Sequence, residues 1–379
     1  MQLAPFGVER WLARYEFAVP YNIAESCARP LSLAELAELA GGGLAGDLRL
    51  GYVDAAGGPR LRAAIAGLYP GAVADDVVVT VGAIEANFLA LAALCGPGDR
   101  VVVAVPAYQQ LHEVPRAQGA DVALWPLRRE DGWRPDLDAL RPLLRRRTKV
   151  VVVNFPNNPT GATADLRALA ALCAEHGAIL HSDEVYRGLP APGHVPQPSA
   201  WAAGGPAVAV VGSLSKAYGL PGLRVGWLLA PPALRARAQE IRDYTSICPP
   251  APSEALAVAA LGARDVILDR QRRHAAANRA MVEAALAATD GRLDWVAPEE
   301  GVVGCVRCAC DLSARDFATR LAEERGTLVV PGDCFGLEGC CFRLGFGYER
   351  ERLAAGLERL VALAAEVGGR ARHGPAPGG

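Results

Sequence analysis

Seven short, almost uninterrupted apolar runs alternate with amphipathic stretches between residues 60 and 230, and this constrains the fold more than any other feature of the chain. A strand buried on both faces has no polar side to present, so it reads as a continuous Val/Ile/Leu-rich run and belongs to a sheet covered by helices on either side. The runs are Val77 to Val81, Arg100 to Val105, Asp121 to Trp125, Lys149 to Asn154, Ala178 to Ser182, Ala207 to Gly212 and Val225 to Leu229. Between them lie helical patterns such as Asp165 to His176, where Leu166, Leu169, Leu172 and Cys173 share a face and Gly177 marks the end. This predicts an α/β fold with a doubly wound, mostly parallel sheet and ligands at the carboxyl ends of its strands.

A chain of 379 residues exceeds what one core supports, so two connected domains are expected. The texture changes after Pro249-Pro250-Ala251-Pro252 to long helices. Strands follow at Val302 to Cys310, Thr327 to Val330 and Cys341 to Gly345, then a last helix from Glu349 to Val367. The expected division is an N-terminal segment, 1–45, packing with a smaller α+β domain at 250–367. A large domain occupies 46–249, and a Gly, Pro and Arg-rich tail at 368–379 is disordered.

Thirty-nine basic residues against forty-one acidic ones leave no electrostatic footprint for nucleic acid or an anionic membrane, so a small-molecule partner is expected. The start, Met1-Gln2-Leu3-Ala4-Pro5-Phe6, has no basic region followed by an apolar one, and the apolar runs elsewhere are short. These features predict a cytoplasmic protein without membrane spans. Ten cysteines in such a chain read as small buried hydrophobes rather than disulfides. Within Cys305, Cys308, Cys310, Cys334, Cys340 and Cys341, only Cys305 and Cys308 have CxxC spacing and no second pair completes a zinc set, so packing and no metal are expected. Only two lysines occur, Lys149 and Lys216, and chemistry that needs a neutral amine is confined to them.

Three motifs stand at strand ends. Asn154-Phe155-Pro156-Asn157-Asn158-Pro159-Thr160-Gly161 follows Val150 to Val153, and Pro159 restricts Asn158 to an extended or turn conformation that aims its amide at the strand end; a plain turn is the other reading. Ser182-Asp183-Glu184-Val185-Tyr186 closes a buried run. A carboxylate at Asp183 needs a cationic partner there or it protonates, unless it serves as a helix cap. Gly212-Ser213-Leu214-Ser215-Lys216-Ala217-Tyr218-Gly219-Leu220-Pro221-Gly222-Leu223-Arg224-Val225-Gly226-Trp227 follows the next run. Its Lys216 can be desolvated and made nucleophilic, with Arg224 neutralising an anion, although a lone lysine would simply be solvated.

An amine able to form an imine, a carboxylate able to pair with a pyridinium nitrogen, and amide and hydroxyl donors for a phenolic oxygen together describe a pyridoxal 5'-phosphate (PLP) site. The NNPTG, DEVY and SLSKAYGLPGLRVGW blocks, in this order, strongly resemble the class I/II aminotransferases, the aspartate-aminotransferase-like PLP enzymes of fold type I, over residues 20 to 365.

That resemblance implies that Lys216 holds the cofactor and shuttles a proton, Asp183 keeps the ring nitrogen protonated, and Asn158 and Tyr186 bond the phenolic oxygen. Tyr108 would stack on the ring. Gly82, Ala83 and Ile84 at a helix start, with Ser213, Ser215 and Arg224, would take the phosphate. Ala83 replaces a hydroxyl residue found there in many relatives. Arg343 would grip the substrate α-carboxylate, with Asn158 beside it, and Tyr52 would reach the phosphate of the neighbouring subunit in a homodimer. Glu25 stands where many relatives have a glycine near the substrate side chain. It would select a basic or polar amino acid, or else cap the helix near Ser32 or face solvent. Transfer of an α-amino group from an L-amino acid to a 2-oxo acid is the implied reaction.

The SLSKAYGLPGLRVGW block, Ile241-Arg242-Asp243-Tyr244 and Leu328 to Gly336 are also similar to a capreomycidine synthase-like branch, which cyclises a hydroxylated arginine with the same cofactor residues. A non-catalytic PLP-binding protein is the remaining alternative. Keeping Lys216, Asp183, Tyr186, Arg224 and Arg343 together argues for an enzyme.

Overall fold

The computed structural model describes residues 2–42, 48–145, 147–204 and 207–368. The boundary expected at 45/46, and the tail from 369 on, lie outside the described residues.

The chain opens with a helix, Gly7–Tyr15, and a two-residue strand β1, Tyr21–Asn22. Seven strands then build the main sheet: β2 (Val77–Val81), β3 (Arg100–Val105), β4 (Asp121–Pro126), β5 (Thr148–Asn154), β6 (Ile179–Asp183), β7 (Val208–Ser213) and β8 (Val225–Leu229). Their order is β2-β8-β7-β6-β5-β3-β4, and β8 alone runs against its neighbours. The valine runs of β3, β5 and β7 are buried on both faces, as the absence of alternation predicts. Every expected strand of this set is present within one or two residues at its ends.

Register gathers the strand ends. Asn154 lies beside Asp183, Asp183 beside Val211, Ser213 beside Gly226, and Val81 beside Val225. The carboxyl ends of four strands and the start of β8 therefore share one edge of the sheet. The buried helix Ala83–Leu94 starts at that edge, and the helix Leu166–Glu175 is capped by Asp165, whose side chain accepts from the Arg167 and Ala168 amides.

A second sheet comprises β9 (Leu293–Trp295), β10 (Val303–Cys308), β12 (Val330–Pro331) and β13 (Cys341–Gly345), antiparallel in the order β12-β13-β10-β9, while β11 (Thr327–Leu328) pairs in parallel with β1. The single strand expected over Thr327 to Val330 is thus two. Leu328 serves the N-terminal strand, Val330 serves β13, and the Val329 carbonyl between them accepts from the Trp11 indole at 2.8 Å. The closing helix runs Arg350–Val367. Among the described residues no helix is long and apolar enough to cross a membrane.

Candidate active site

A cavity of about 470 Å³ opens where the strand ends of the main sheet meet the Gly7–Tyr15 helix, the segment after β1, and β13. It brings together Glu25, Ala83, Ile84, Tyr108, Asn158, Asp183, Tyr186, Ser213, Ser215, Lys216, Arg224 and Arg343. Of the expected site residues, Gly82 underlies the wall, and Tyr52 does not line the cavity, being 90% exposed on the chain's surface.

Asp183 ends β6 in an apolar setting, and burial pushes its carboxyl up to about 6. The Asn87 amide, the Val185 N–H and Lys216 pull the other way. Asn87 Nδ2 donates to Asp183 Oδ2 at 2.8 Å, which leaves Asn87 Oδ1 to accept from His181 Nε2, also at 2.8 Å. Burial holds His181 down near 4, so this imidazole is a neutral donor. No cation is paired with Asp183 among the described residues.

Lys216 lies across the cavity wall from the segment after β1. Its Nζ donates to Ser26 Oγ at 2.9 Å and approaches Cys27 Sγ at 3.6 Å. Burial alone would lower this amine, but Cys27, Tyr186 and Glu25 outweigh burial and Arg343, and its proton affinity is raised. The expectation of an amine depressed by desolvation is therefore corrected. Sequence spacing shows the buried strand end but not the thiol, phenol and carboxylate that fold against it.

The Gly82 turn is tightly enclosed. Gly82 has φ +79°, and a Cβ there would run into the Arg224 guanidinium, while a Cβ at Gly226 would run into Gly82 and the Ala83 amide. Arg224 itself sits in the left-handed region at φ 52°, which turns its side chain back to that loop. Glu85 and Ala86 donate to the Gly82 carbonyl at 3.2 and 3.4 Å, which leaves the Ala83 and Ile84 amides without partners among the described residues, so loop, helix start and arginine form a concave site suited to an anion. Ser213 Oγ accepts from the Ser215 amide at 3.2 Å at its border.

Arg343, 2% exposed, reaches out of β13 with Nη1 donating to Asn158 Oδ1 at 3.1 Å and Nη2 to the Ala24 carbonyl at 2.8 Å; among the described residues its Nε has no partner. Tyr108 donates to Glu9 Oε1 at 2.6 Å and packs against Phe6 at 4.7 Å between ring centres. Glu25 does not cap the helix near Ser32: Ser32 and Glu35 form that capping box themselves. It meets Glu16 instead, whose carboxyl is pushed up by burial first and then by the charges of Glu25 and Glu9.

Sequence reasoning missed Glu9, Glu16, Ser26, Cys27 and Asn87, all lining the cavity. Glu9 and Glu16 had a signal, because a seven-residue spacing puts two carboxylates on one helical face. Asn87 had none beyond its place four residues into the helix after Gly82.

A profile of the family described as Aminotransferase class I and II matches residues 31–360. Among curated proteins, the chain is 38% identical over 375 residues to capreomycidine synthase of Streptomyces vinaceus, covering 96% of this chain and 94% of that one. It is 34% identical over 303 residues to the arginine–pyruvate transaminase of Pseudomonas aeruginosa, covering 79% and 77% respectively. The solved structure of a PLP-dependent aminotransferase from Streptococcus suis superposes with a TM-score of 0.92 at 36% identity, over 98% of this chain and 100% of that one. The fold is that of the fold type I PLP enzymes, and pyridoxal 5'-phosphate is the cofactor. The chain's own geometry fits it. Asp183 is a buried carboxylate lacking the cation that a protonated ring nitrogen would supply, and the Gly82–Arg224 cradle admits an anion but no extra Cβ.

Proposed function

We propose, for a chain that belongs to the class I and II aminotransferase family, that it transfers the α-amino group of an L-amino acid with a cationic side chain to a 2-oxo acid. The observation that carries this reading is the meeting of Glu16 and Glu25 on the wall of the cavity that also holds Lys216 and Arg343, with Glu9 close enough to act on Glu16. Two half-buried carboxylates in contact raise each other's energy, and a guanidinium or ammonium group between them relieves both penalties. The arginine–pyruvate transaminase relative points the same way.

In this reading Lys216 would hold the cofactor, and its Nζ, kept in place by Ser26, would carry the proton from the substrate α-carbon. The bound cofactor supplies an electron sink for the carbanion. Asp183, fixed by Asn87, would pair with the ring nitrogen, Asn158 and Tyr186 would bond the phenolic oxygen, and Tyr108, held by Glu9, would cover the ring face. The Gly82, Ala83 and Ile84 amides, Ser213, Ser215 and Arg224 bind the phosphate. Arg343 takes the α-carboxylate in its fork, with Asn158 alongside. The protein acts as a homodimer, with the partner's Tyr52 completing the phosphate site; the exposure of Tyr52 and Leu50 on one chain supports this.

A second reading is favoured by the 38% relative spanning 96% of the chain: the same residues eliminate a β-substituent and close a ring on an arginine-derived substrate. One experiment separates the two. PLP-loaded protein is mixed with arginine, β-hydroxyarginine and apolar L-amino acids without a 2-oxo acid, and products are identified by mass spectrometry. Stoichiometric pyridoxamine phosphate and a 2-oxo acid from arginine establish transamination. Multiple turnovers to a cyclic amino acid with unchanged cofactor establish the second reading. Reaction with apolar amino acids only would overturn the proposed side-chain class.

A further inference from the structure

Where the two inner strands of the four-stranded sheet end side by side, three thiols come together, none of them lining the cavity. Cys308 ends β10. The ladder that sets Arg307 against Cys341 continues one step, so that Cys308 faces Cys340 and its amide donates to the Cys340 carbonyl at 2.8 Å. Side chains alternate across a strand, which places Cys308 and Cys340 on one face of the sheet and Cys305 and Cys341 on the other. Beyond the strand end the backbone doubles back, the Cys310 N–H donating to the Cys308 carbonyl at 3.0 Å, and a third thiol returns to the pair. The sulfur atoms of Cys308, Cys310 and Cys340 lie within 4.8 Å of one another.

We propose that Cys308, Cys310 and Cys340 form a three-thiolate site for a thiophilic d¹⁰ cation, Zn(II) or Cu(I). A Zn–S bond of about 2.3 Å sets neighbouring sulfurs roughly 3.8 Å apart, so the thiols need close by no more than about 1 Å. Among the described residues no carboxylate or imidazole joins the group, which rules against the hard, oxygen-seeking Mg(II) and Ca(II). With three sulfur ligands, Zn(II) would keep water in a fourth position, whereas Cu(I) would be satisfied by three.

A further observation suits such a site. Cys308 and Cys340 are buried while Cys310 is half-buried, so an ion has a route in past Cys310 and a dry interior to rest against. Binding displaces the protons of all three thiols. The occupied site would tie the end of β10 to the residue before β13, three positions ahead of Arg343.

The test uses the full-length, PLP-loaded protein, reduced and stripped with a chelator. Cd(II), as a probe for the zinc arm, is followed by its ultraviolet thiolate charge-transfer band, and Zn(II) by calorimetry. Cu(I) is followed by competition with a colorimetric cuprous chelator. The expected result is one ion per chain in one of these arms. Cys310→Ser and Cys340→Ser should each weaken binding by about 100-fold or more, beyond the loss typical of a mere supporting residue. Cys305→Ser, on the opposite face, should bind as the parent does. Cys310 is half-buried, so its serine variant keeps the test open if Cys340→Ser does not fold. Unchanged affinity in Cys310→Ser, or no stoichiometric band or heat with any of the three ions, would overturn the site.

Discussion

Asn87 of the Ala83–Leu94 helix donates to Asp183 at the end of β6 across 2.8 Å. The bond steadies a carboxylate that burial nevertheless pushes from 3.8 up to about 6. A raised carboxyl makes the folded state bind its proton more tightly. Its contribution to stability is full below the unfolded value and is lost as pH rises to about 6, a loss of roughly 3 kcal/mol in the cofactor-free protein. Neighbouring His181 has the opposite slope, since its value falls from 6.5 to about 4 on folding. Over pH 4 to 6 the two nearly cancel. Asp183→Asn should remove one of them, so the cofactor-free variant should gain stability relative to the parent as pH rises from 4 to 6. Urea midpoints across that range check it, and a flat difference refutes it.

Lys216→Ala is expected to abolish turnover and leave the fold intact, because its amine is held by Ser26 and Cys27 rather than by the packing of the core. Thermal melting within a few degrees of the parent, with no detectable product, is the predicted pair of results. Measurable transamination would remove Lys216 from its role.

Glu25→Gln keeps the shape of the wall and removes a charge. Loss of a charge-assisted bond is worth about 1.5–3 kcal/mol, so kcat/KM for arginine should fall by about 10- to 100-fold while apolar amino acids change little. Glu16→Gln should act the same way. Equal losses on arginine and leucine would mean that neither carboxylate reads the side chain.

Gly226 supports the anion cradle from beneath, and Gly226→Ala must push the Gly82–Ala83 backbone away from it. Overpacking of this kind costs about 1–3 kcal/mol, and here it should appear as weaker PLP binding more than as a lower melting temperature. Fluorescence titration of the cofactor-free protein with PLP gives the comparison. Ala83→Ser, which adds a hydroxyl at the helix start, should tighten the same titration.

Lys216, Asp183 and Asn158 were legible because each stands a few residues beyond the end of a continuous apolar run, so their placement at the sheet edge follows from local pattern alone. The same locality fixed the strands of the main sheet within a residue or two. What stayed hidden depends on partners far along the chain. Arg343 reaches Ala24 across 319 positions, and Glu16 finds Glu25 through the packing of an N-terminal helix. The raised proton affinity of Lys216 belongs to this class, because it comes from Cys27, Tyr186 and Glu25 and not from neighbours in sequence. Splitting of the Thr327 to Val330 run needed knowledge of Trp11.

Arg343 and Gly345 are stitched to the backbone that carries Glu25. The guanidinium holds the Ala24 carbonyl, and the Gly345 amide donates to Ile23 at 2.9 Å, with no room for a Cβ against Glu25. Under the proposed function, the grip on a carboxylate and the reading of a side chain would therefore be geared together. In that reading a shift at one end of a substrate would be felt at the other, and a replacement that moves this backbone would disturb both, whereas Glu25→Gln, which keeps its shape, would change the side-chain reading alone. New substrate preferences on this scaffold would be acquired by exchanging the stretch from Tyr21 to Cys27 as a cassette.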